Sequence, residues 1–234
     1  MTRDVANLLS LMPDTPQWVE ARDLILGEEF EAFGQPKGAA LDIALRDPAE
    51  GTVFVIGRPA DAEVLAAIQG NRGDLIAGAE HGDWLSVLLP DWSREIAIVH
   101  RGDRLTLALP EGETRIVALA EIEASVDEPD LLEELRAAAS FTEIAASFSE
   151  GRPVAFCYAS AETETFWDVG IDTLEAFQRQ GHARRVAGYM VRRMAEQNLE
   201  TVWTALDSNT ASLRLAESLG FRSVAEIVIF QRPQ

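Results

Sequence analysis

A chain of 234 residues with 39 acidic and 20 basic side chains carries a formal charge of −19, and 47% of its residues are hydrophobic. This composition indicates a folded protein of one large domain or two small ones rather than a disordered segment. It argues against non-specific nucleic-acid binding, which depends on cationic side chains that neutralise phosphate. A cationic substrate and a merely solvated acidic surface both remain consistent with the charge.

The single cysteine, Cys157, excludes an internal disulfide and suits a reducing compartment. The short segment "LLSLM" follows Arg3 and Asp4 and is too brief and too charged to be a signal peptide. No apolar run approaches the roughly 18 residues that a membrane helix needs. We therefore expect a cytoplasmic protein that does not insert into a membrane.

The first half of the chain reads as an α/β region, which we assign to residues 1–114. Its expected helices and strands alternate and are separated by Pro- and Gly-containing turns such as "PDTP". In chain order we expect helices at 2–12 and 16–26, a strand at 52–57, a helix at 60–70, a strand at 74–78, a helical stretch around Trp84, and strands at 95–101 and 104–109.

Residues 115–234 form the second expected domain. In chain order we expect a strand at 115–122, a helix at 128–140 with Pro129 in its first turn, strands at 152–160 and 163–172, a helix after Gly181, a strand at 201–206, a helix at 209–219 and a strand at 224–230.

The stretch "QRQGHARRVAGYMVRRM" (178–194) opens a helix without a Ser, Thr or Asp to cap it. A helix start offers free N–H donors and partial positive charge, and glycine at 181 allows an anion to approach the backbone closely. Several arginines add positive charge, although an exposed loop with a glycine turn would look the same. One face of the helix is apolar at a spacing of three and four residues: Ala183, Val186, Ala187, Met190, Val191 and Met194.

Gln178, Gly181 and Ala183 fit the pattern R/Q-x-x-G-x-G/A between a strand and a helix, and "NTASLRLAESLGF" (209–221) supplies a second motif. With "VGIDT" and "VWTALDSN" in the right order, residues 163–221 resemble the GNAT superfamily of acyl-CoA-dependent N-acyltransferases, and a bacterial subgroup of it in particular. The resemblance implies an α/β (α+β) fold, with a mixed, mostly antiparallel twisted sheet flanked by helices, beside the additional N-terminal α/β region.

The resemblance also implies acetyl-CoA as cosubstrate. The signature loop would hold its diphosphate through Gln178, Arg179, Gln180, Gly181, His182, Ala183 and Arg184. The pantetheine arm would pair with the backbone of Ile171, Asp172 and Thr173 as an added strand. Asn209 would bind the cofactor or merely cap a helix, and Ser212 would have either a cofactor-binding or a packing role.

Many family members place a tyrosine acid four residues before the Gly of Leu-Gly-Phe, but this chain has Ala216 there. Asp168 and Glu164 are candidates for the base, with solvated strand carboxylates as the simpler interpretation. His182 suits a phosphate neighbour, and no Cys or His spacing supports a metal site.

Two functions follow as hypotheses. The first is an acetyl-CoA-dependent N-acetyltransferase in which a primary amine of a small acceptor attacks directly in a ternary complex. The second is a catalytically degenerate coenzyme A-binding module with a regulatory or structural role. The acceptor's identity and the oligomeric state, with a homodimer as one option, stay open.

Overall fold

The computed structural model describes residues 3–36, 41–102 and 111–233 of the chain. The strand expected at 104–109 lies outside these residues. The helices are α1 (Arg3–Leu11), α2 (Val19–Leu26), α3 (Asp61–Ile68), α4 (Gly82–Leu88), α5 (Leu119–Glu123), α6 (Pro129–Ala139), α7 (His182–Glu196) and α8 (Thr210–Ser218). The strands are β1 (Glu31–Phe33), β2 (Ile43–Arg46), β3 (Val53–Ile56), β4 (Leu75–Gly78), β5 (Ser93–Gly102), β6 (Thr114–Val117), β7 (Ile144–Ser149), β8 (Arg152–Glu162), β9 (Phe166–Thr173), β10 (Glu200–Leu206) and β11 (Arg222–Gln231).

Two compact units divide the chain. Unit 1 comprises Met1–Val99, Thr204–Thr210 and Ser223–Gln234, and unit 2 comprises His100–Trp203 and Ala211–Arg222. The C-terminal segment belongs to unit 1 because β11 pairs with β4 in antiparallel fashion, Ile227 lying opposite Gly78. The boundary at residue 114 expected from the sequence stays a prediction.

Unit 1 is built on a mixed sheet in the order β1-β2-β3-β4-β11-β5. The pairs β1–β2, β2–β3 and β4–β11 are antiparallel, whereas β3–β4 is parallel, with α3 as its crossover connection. All four residues of β3 are buried. A strand that is buried on both faces reads as a continuous apolar run, which is why "VFVI" was recognisable in the sequence.

Unit 2 contains the order β6-β7-β8-β9-β10. Its pairs are antiparallel from β6 to β9, and β9 and β10 are parallel. Parallel neighbours need a crossover, and α7 supplies it. The expected mixed, mostly antiparallel sheet with flanking helices is confirmed.

The α7 stripe is confirmed as packing surface. Val186, Ala187, Met190, Val191 and Met194 are buried, and Ala183 is half-buried. Side chains alternate across the sheet beneath, so the two faces have separate partners. Phe156 and Tyr158 of β8 pack in one cluster with Leu135 of α6, and β7 directs Ser147 towards α7.

The strand expected at 115–122 is wrong beyond Val117, because residues 119–123 form α5. The Glu121 carboxylate accepts a hydrogen bond from the Ala118 N–H at 3.3 Å, which stabilises a helix start. The sequence analysis also missed β1, β2 and β7. The "IAASFS" segment of β7 is rich in small residues with weak strand preference, so only its neighbours in the sheet make it a strand.

Candidate active site

The loop between β9 and α7 has the open helix start that the sequence predicts. Gly181 adopts a left-handed conformation with φ of 87°, and none of the described side chains forms a cap hydrogen bond there. The Arg185 N–H donates to the Gly181 carbonyl at 3.1 Å. The N–H groups of the residues between them precede this bond and have no acceptor within the helix. They form a set of donors suited to an anion.

Two glutamine side chains of the loop donate hydrogen bonds to nearby backbone carbonyls. Gln178 donates to the Thr173 carbonyl at 3.4 Å, and Gln180 donates to the Ala176 carbonyl at 2.9 Å. Arg179 is exposed with a positive φ of 60°. The structure therefore brings the residues from Gln178 to Arg184 together as one turn. Further along α7, Arg193 donates to Glu143 at 2.7 Å, so its charge is already paired.

His182 differs from the expectation that its side chain is a phosphate neighbour. It is only 7% exposed, and its Nδ1 lies 3.0 Å from the Ser147 hydroxyl on β7. Arg185 donates to the same hydroxyl at 2.9 Å. Burial and the Arg185 charge lower the pKa of His182, which keeps the imidazole neutral at pH 7.

Strand β9 leaves one edge open beyond its first residues. Its pairs with β10 are Phe166–Glu200, Trp167–Thr201 and Asp168–Val202. From 169 to 173 it pairs with β8 on one side, and no other described strand of unit 2 pairs with it. An open edge carries free backbone donors and acceptors that can receive an extended ligand.

The ladder with β8 shows which backbone groups face that edge. The Leu174 N–H donates to the Val154 carbonyl of β8 at 3.0 Å. Because inward and outward groups alternate along an antiparallel strand, the backbone groups of Ile171 and Thr173 point away from β8. Those of Asp172 point towards β8. The expected backbone pairing of the pantetheine arm with Asp172 is therefore wrong, whereas the backbone groups of Ile171 and Thr173 face the open edge and their pairing stays a prediction.

The Asp172 side chain belongs to a cluster that sequence reasoning missed. The Tyr158 hydroxyl lies 3.3 Å from Asp172 Oδ2 and donates to Glu134 of α6. Burial, followed by the Glu134 charge, raises the pKa of Asp172 to about 6. Burial, followed by the hydrogen bond to Glu134 and the Asp172 charge, raises the pKa of Tyr158 well above its usual value. Asp172 is therefore poised to exchange a proton near neutral pH, whereas Tyr158 is a poor acid.

The two base candidates from the sequence, Asp168 and Glu164, lie in different environments. Asp168 is 4% exposed, so its interpretation as a solvated carboxylate is wrong, and its Oδ1 accepts from the Val169 N–H at 3.0 Å. Glu164 is exposed in the turn before β9. The eight residues of β9, about 26 Å long at ~3.3 Å per residue, lie between Glu164 and the signature loop. The structure does not bring Glu164 to the site.

The second motif opens and forms α8. Asn209 is exposed in the turn before Thr210, and its N–H donates to the Leu206 carbonyl at 2.9 Å. The Ser212 hydroxyl accepts from the Trp203 indole N–H at 2.9 Å. Ala216 is fully buried, so the position of the family tyrosine carries no hydroxyl and faces packed side chains.

We predict that Ser212→Ala destabilises the fold without weakening acetyl-CoA binding. Trp203 is 1% exposed, and a buried N–H that loses its acceptor costs about 1–3 kcal/mol. Urea unfolding and calorimetry measure the two effects. Ser218→Ala, an exposed serine on the same helix, is the matched control. A clear loss of affinity at unchanged stability would instead assign Ser212 to the cofactor.

Comparison with known proteins supports the identification of the fold. The profile of the GNAT acetyltransferase family matches residues 144–230. A GCN5-related N-acetyltransferase-like protein from Streptococcus suis is 16% identical with a TM-score of 0.67, over 98% of this chain and 97% of that one. A GCN5-related N-acetyltransferase from Kribbella flavida is 17% identical with a TM-score of 0.62, over 98% and 96%.

A Drosophila protein is similar in the same way, with 13% identity and a TM-score of 0.70 over 98% of this chain and 96% of that one. No curated protein matches the sequence. Within the described ranges, every helix is too short or too polar to span a bilayer.

Proposed function

Because residues 144–230 match the GNAT acetyltransferase family, we propose that this chain is an acetyl-CoA-dependent N-acetyltransferase acting on a primary amine of a small acceptor. The observation that supports the proposal is that two features of unit 2, an open strand edge and an uncapped helix start, follow each other directly along the chain. The open edge of β9 ends at Thr173, and the uncapped start of α7 follows within one loop. An elongated ligand with an apolar arm and an anionic end fits this order of strand edge and helix start.

The residues present fit such a cofactor. A Cβ placed on Gly181 would meet no atom of the described residues within 4 Å, which leaves room in front of the helix start. The N–H groups of the first turn of α7 would bind the diphosphate, and Ile171 and Thr173 would hold the pantetheine arm by backbone hydrogen bonds. When bound, the cofactor supplies an acetyl group activated as a thioester.

Asp172 is the base that we propose for the acceptor amine. An alkyl ammonium group has a pKa near ~10 and must lose its proton before it attacks. The Asp172 carboxylate lies on the strand whose edge would carry the thioester end of the cofactor. The Tyr158 hydroxyl lies 3.3 Å from the Asp172 carboxylate and donates to Glu134, and the two acidic groups favour a cationic acceptor.

The direct transfer in a ternary complex would proceed without a dedicated acid, since Ala216 has no proton to give. A thiol of pKa near ~8.5 leaves as a thiolate far more readily than an alkoxide would. Holding the amine beside the thioester supplies much of the rate enhancement by orientation. The predicted contact of Asn209 with the cofactor is retained as part of this proposal.

The second candidate, a coenzyme A-binding module without turnover, rests on Ala216. Both candidates bind acetyl-CoA, so binding is measured first by calorimetry. Release of free thiol is then measured with a panel of small amines, including amino acids, polyamines and aminoglycosides. We expect binding together with amine-dependent thiol release. Binding without release for any amine would favour the second candidate, and absence of binding would exclude both.

A further inference from the structure

A buried polar network anchors the first turn of α7 to β7. It contains Ser147 of β7 with His182 and Arg185 of α7. Ser147 is fully buried, although serine is mostly an exposed residue in folded proteins. Its hydroxyl has two partners from the same helix. The network thus lies directly behind the N–H groups proposed to bind the diphosphate.

The donors in this network fix the form of the imidazole. Arg185 donates from Nη1 to Ser147 Oγ at 2.9 Å, and an arginine side chain has no acceptor. The Ser147 hydroxyl lies 3.0 Å from His182 Nδ1 and can direct its hydrogen at it. Arg185 Nη1 also lies 3.3 Å from Nδ1. Because a guanidinium has only donors, this contact favours Nδ1 as an acceptor, with the ring proton on Nε2.

The network has a consequence for the helix start. Gly181 is left-handed and has no side chain, so it places little restraint on the direction of the turn. His182 is the next residue, and its ring is fixed to a sheet strand and packed edge-on against Phe177. The Arg185 guanidinium also lies against the backbone of Gly112, where an added Cβ would come within 2.6 Å of Cζ.

We infer that Ser147, His182 and Arg185 are positioning residues for acetyl-CoA, whose side chains orient the N–H groups of the first turn of α7 without touching the cofactor. This inference rests on the proposed function. The acceptor at His182 Nδ1 is its essential feature, because this atom ties the helix start to the sheet.

The test compares two substitutions at one position. His182→Asn keeps an acceptor, since Oδ1 stands where Nδ1 stood, whereas His182→Leu keeps the branching at Cγ without an acceptor. We expect calorimetry to show acetyl-CoA affinity reduced about tenfold in His182→Leu and in Ser147→Ala. His182→Asn should stay within about threefold of the parent. A role in packing alone would favour Leu over Asn, which is the opposite order.

A second measurement does not depend on the variants folding. Long-range ¹H–¹⁵N correlation spectra of the unmodified chain, with the imidazole signals assigned through the backbone, report the tautomer of His182. We expect the Nε2–H form. The Nδ1–H form, or equal affinities for the Asn and Leu variants, would overturn the inference while leaving the proposed function intact. An unmodified chain that binds no acetyl-CoA overturns the proposed function and this inference with it.

Discussion

Replacing Asp172 by asparagine is expected to lower kcat by about 10²–10⁴-fold, the range that a positioned general base contributes. Asparagine has nearly the same shape as aspartate, but it cannot take a proton from the amine. Steady-state thiol release with an amine identified in the panel measures the effect. KM for acetyl-CoA should change little, because the backbone of Asp172 faces β8 rather than the open edge of β9.

The pH dependence gives an independent check on this base. With a pKa of about 6, Asp172 is protonated and inactive as a base at lower pH, and it becomes active as the pH rises through 6. The parent rate should therefore rise steeply up to about pH 6 and bend there, before the slower increase due to amine deprotonation. The Asp172→Asn variant should lack that bend.

A loss of stability would not explain a lower kcat in the Asp172→Asn variant. Because the pKa of Asp172 is raised on folding, ionisation of this group opposes folding as the pH rises through about 6. Asparagine removes that penalty, so the variant should be at least as stable as the parent at pH 7, as urea unfolding can show. Asp168→Asn is the comparison, because Asp168 lies on the same strand and is one of the two base candidates from the sequence. If Asp168→Asn abolished turnover and Asp172→Asn did not, the assignment of the base would be wrong.

The parts of the site that are local in sequence could be predicted from it. The uncapped start at Gly181 and the buried stripe of α7 both depend on residues within a few turns, and both are confirmed. The order of strand, loop, helix and strand likewise followed from local pattern. The free backbone N–H groups of the loop can therefore be predicted from the sequence without knowledge of the sheet.

The side-chain clusters could not be predicted because they depend on strand register. Tyr158 is 14 residues from Asp172 and 24 from Glu134, and Ser147 is 35 residues from His182. Each pair meets only because β7, β8 and β9 lie side by side. The missed strand β7 shows this most clearly, because Ser147 is directed towards α7 only when its segment forms a strand of the sheet. A tyrosine within the apolar run of β8 was the one available signal.

The largest effect on binding is expected at Gly181, where Gly181→Asp should weaken acetyl-CoA binding about 10- to 100-fold relative to Gly181→Asn. Both side chains enter open space, since a Cβ at this position meets no atom within 4 Å. Both tolerate the left-handed conformation with φ of 87° better than most residues do. The two variants therefore carry the same steric and backbone cost and differ in one negative charge.

That charge would stand at the helix start, where the diphosphate is proposed to bind. Two like charges about 4 Å apart repel by up to about 4 kcal/mol at a protein surface, and solvent and salt reduce this value. Calorimetry at low and at physiological salt should show a gap between the Asp and Asn variants that narrows as salt is added. Asp is also a favourable helix cap, so Gly181→Asp should be as stable as Gly181→Asn in urea unfolding while binding acetyl-CoA less tightly. Equal affinities of the two folded variants would show that the diphosphate does not lie at this turn.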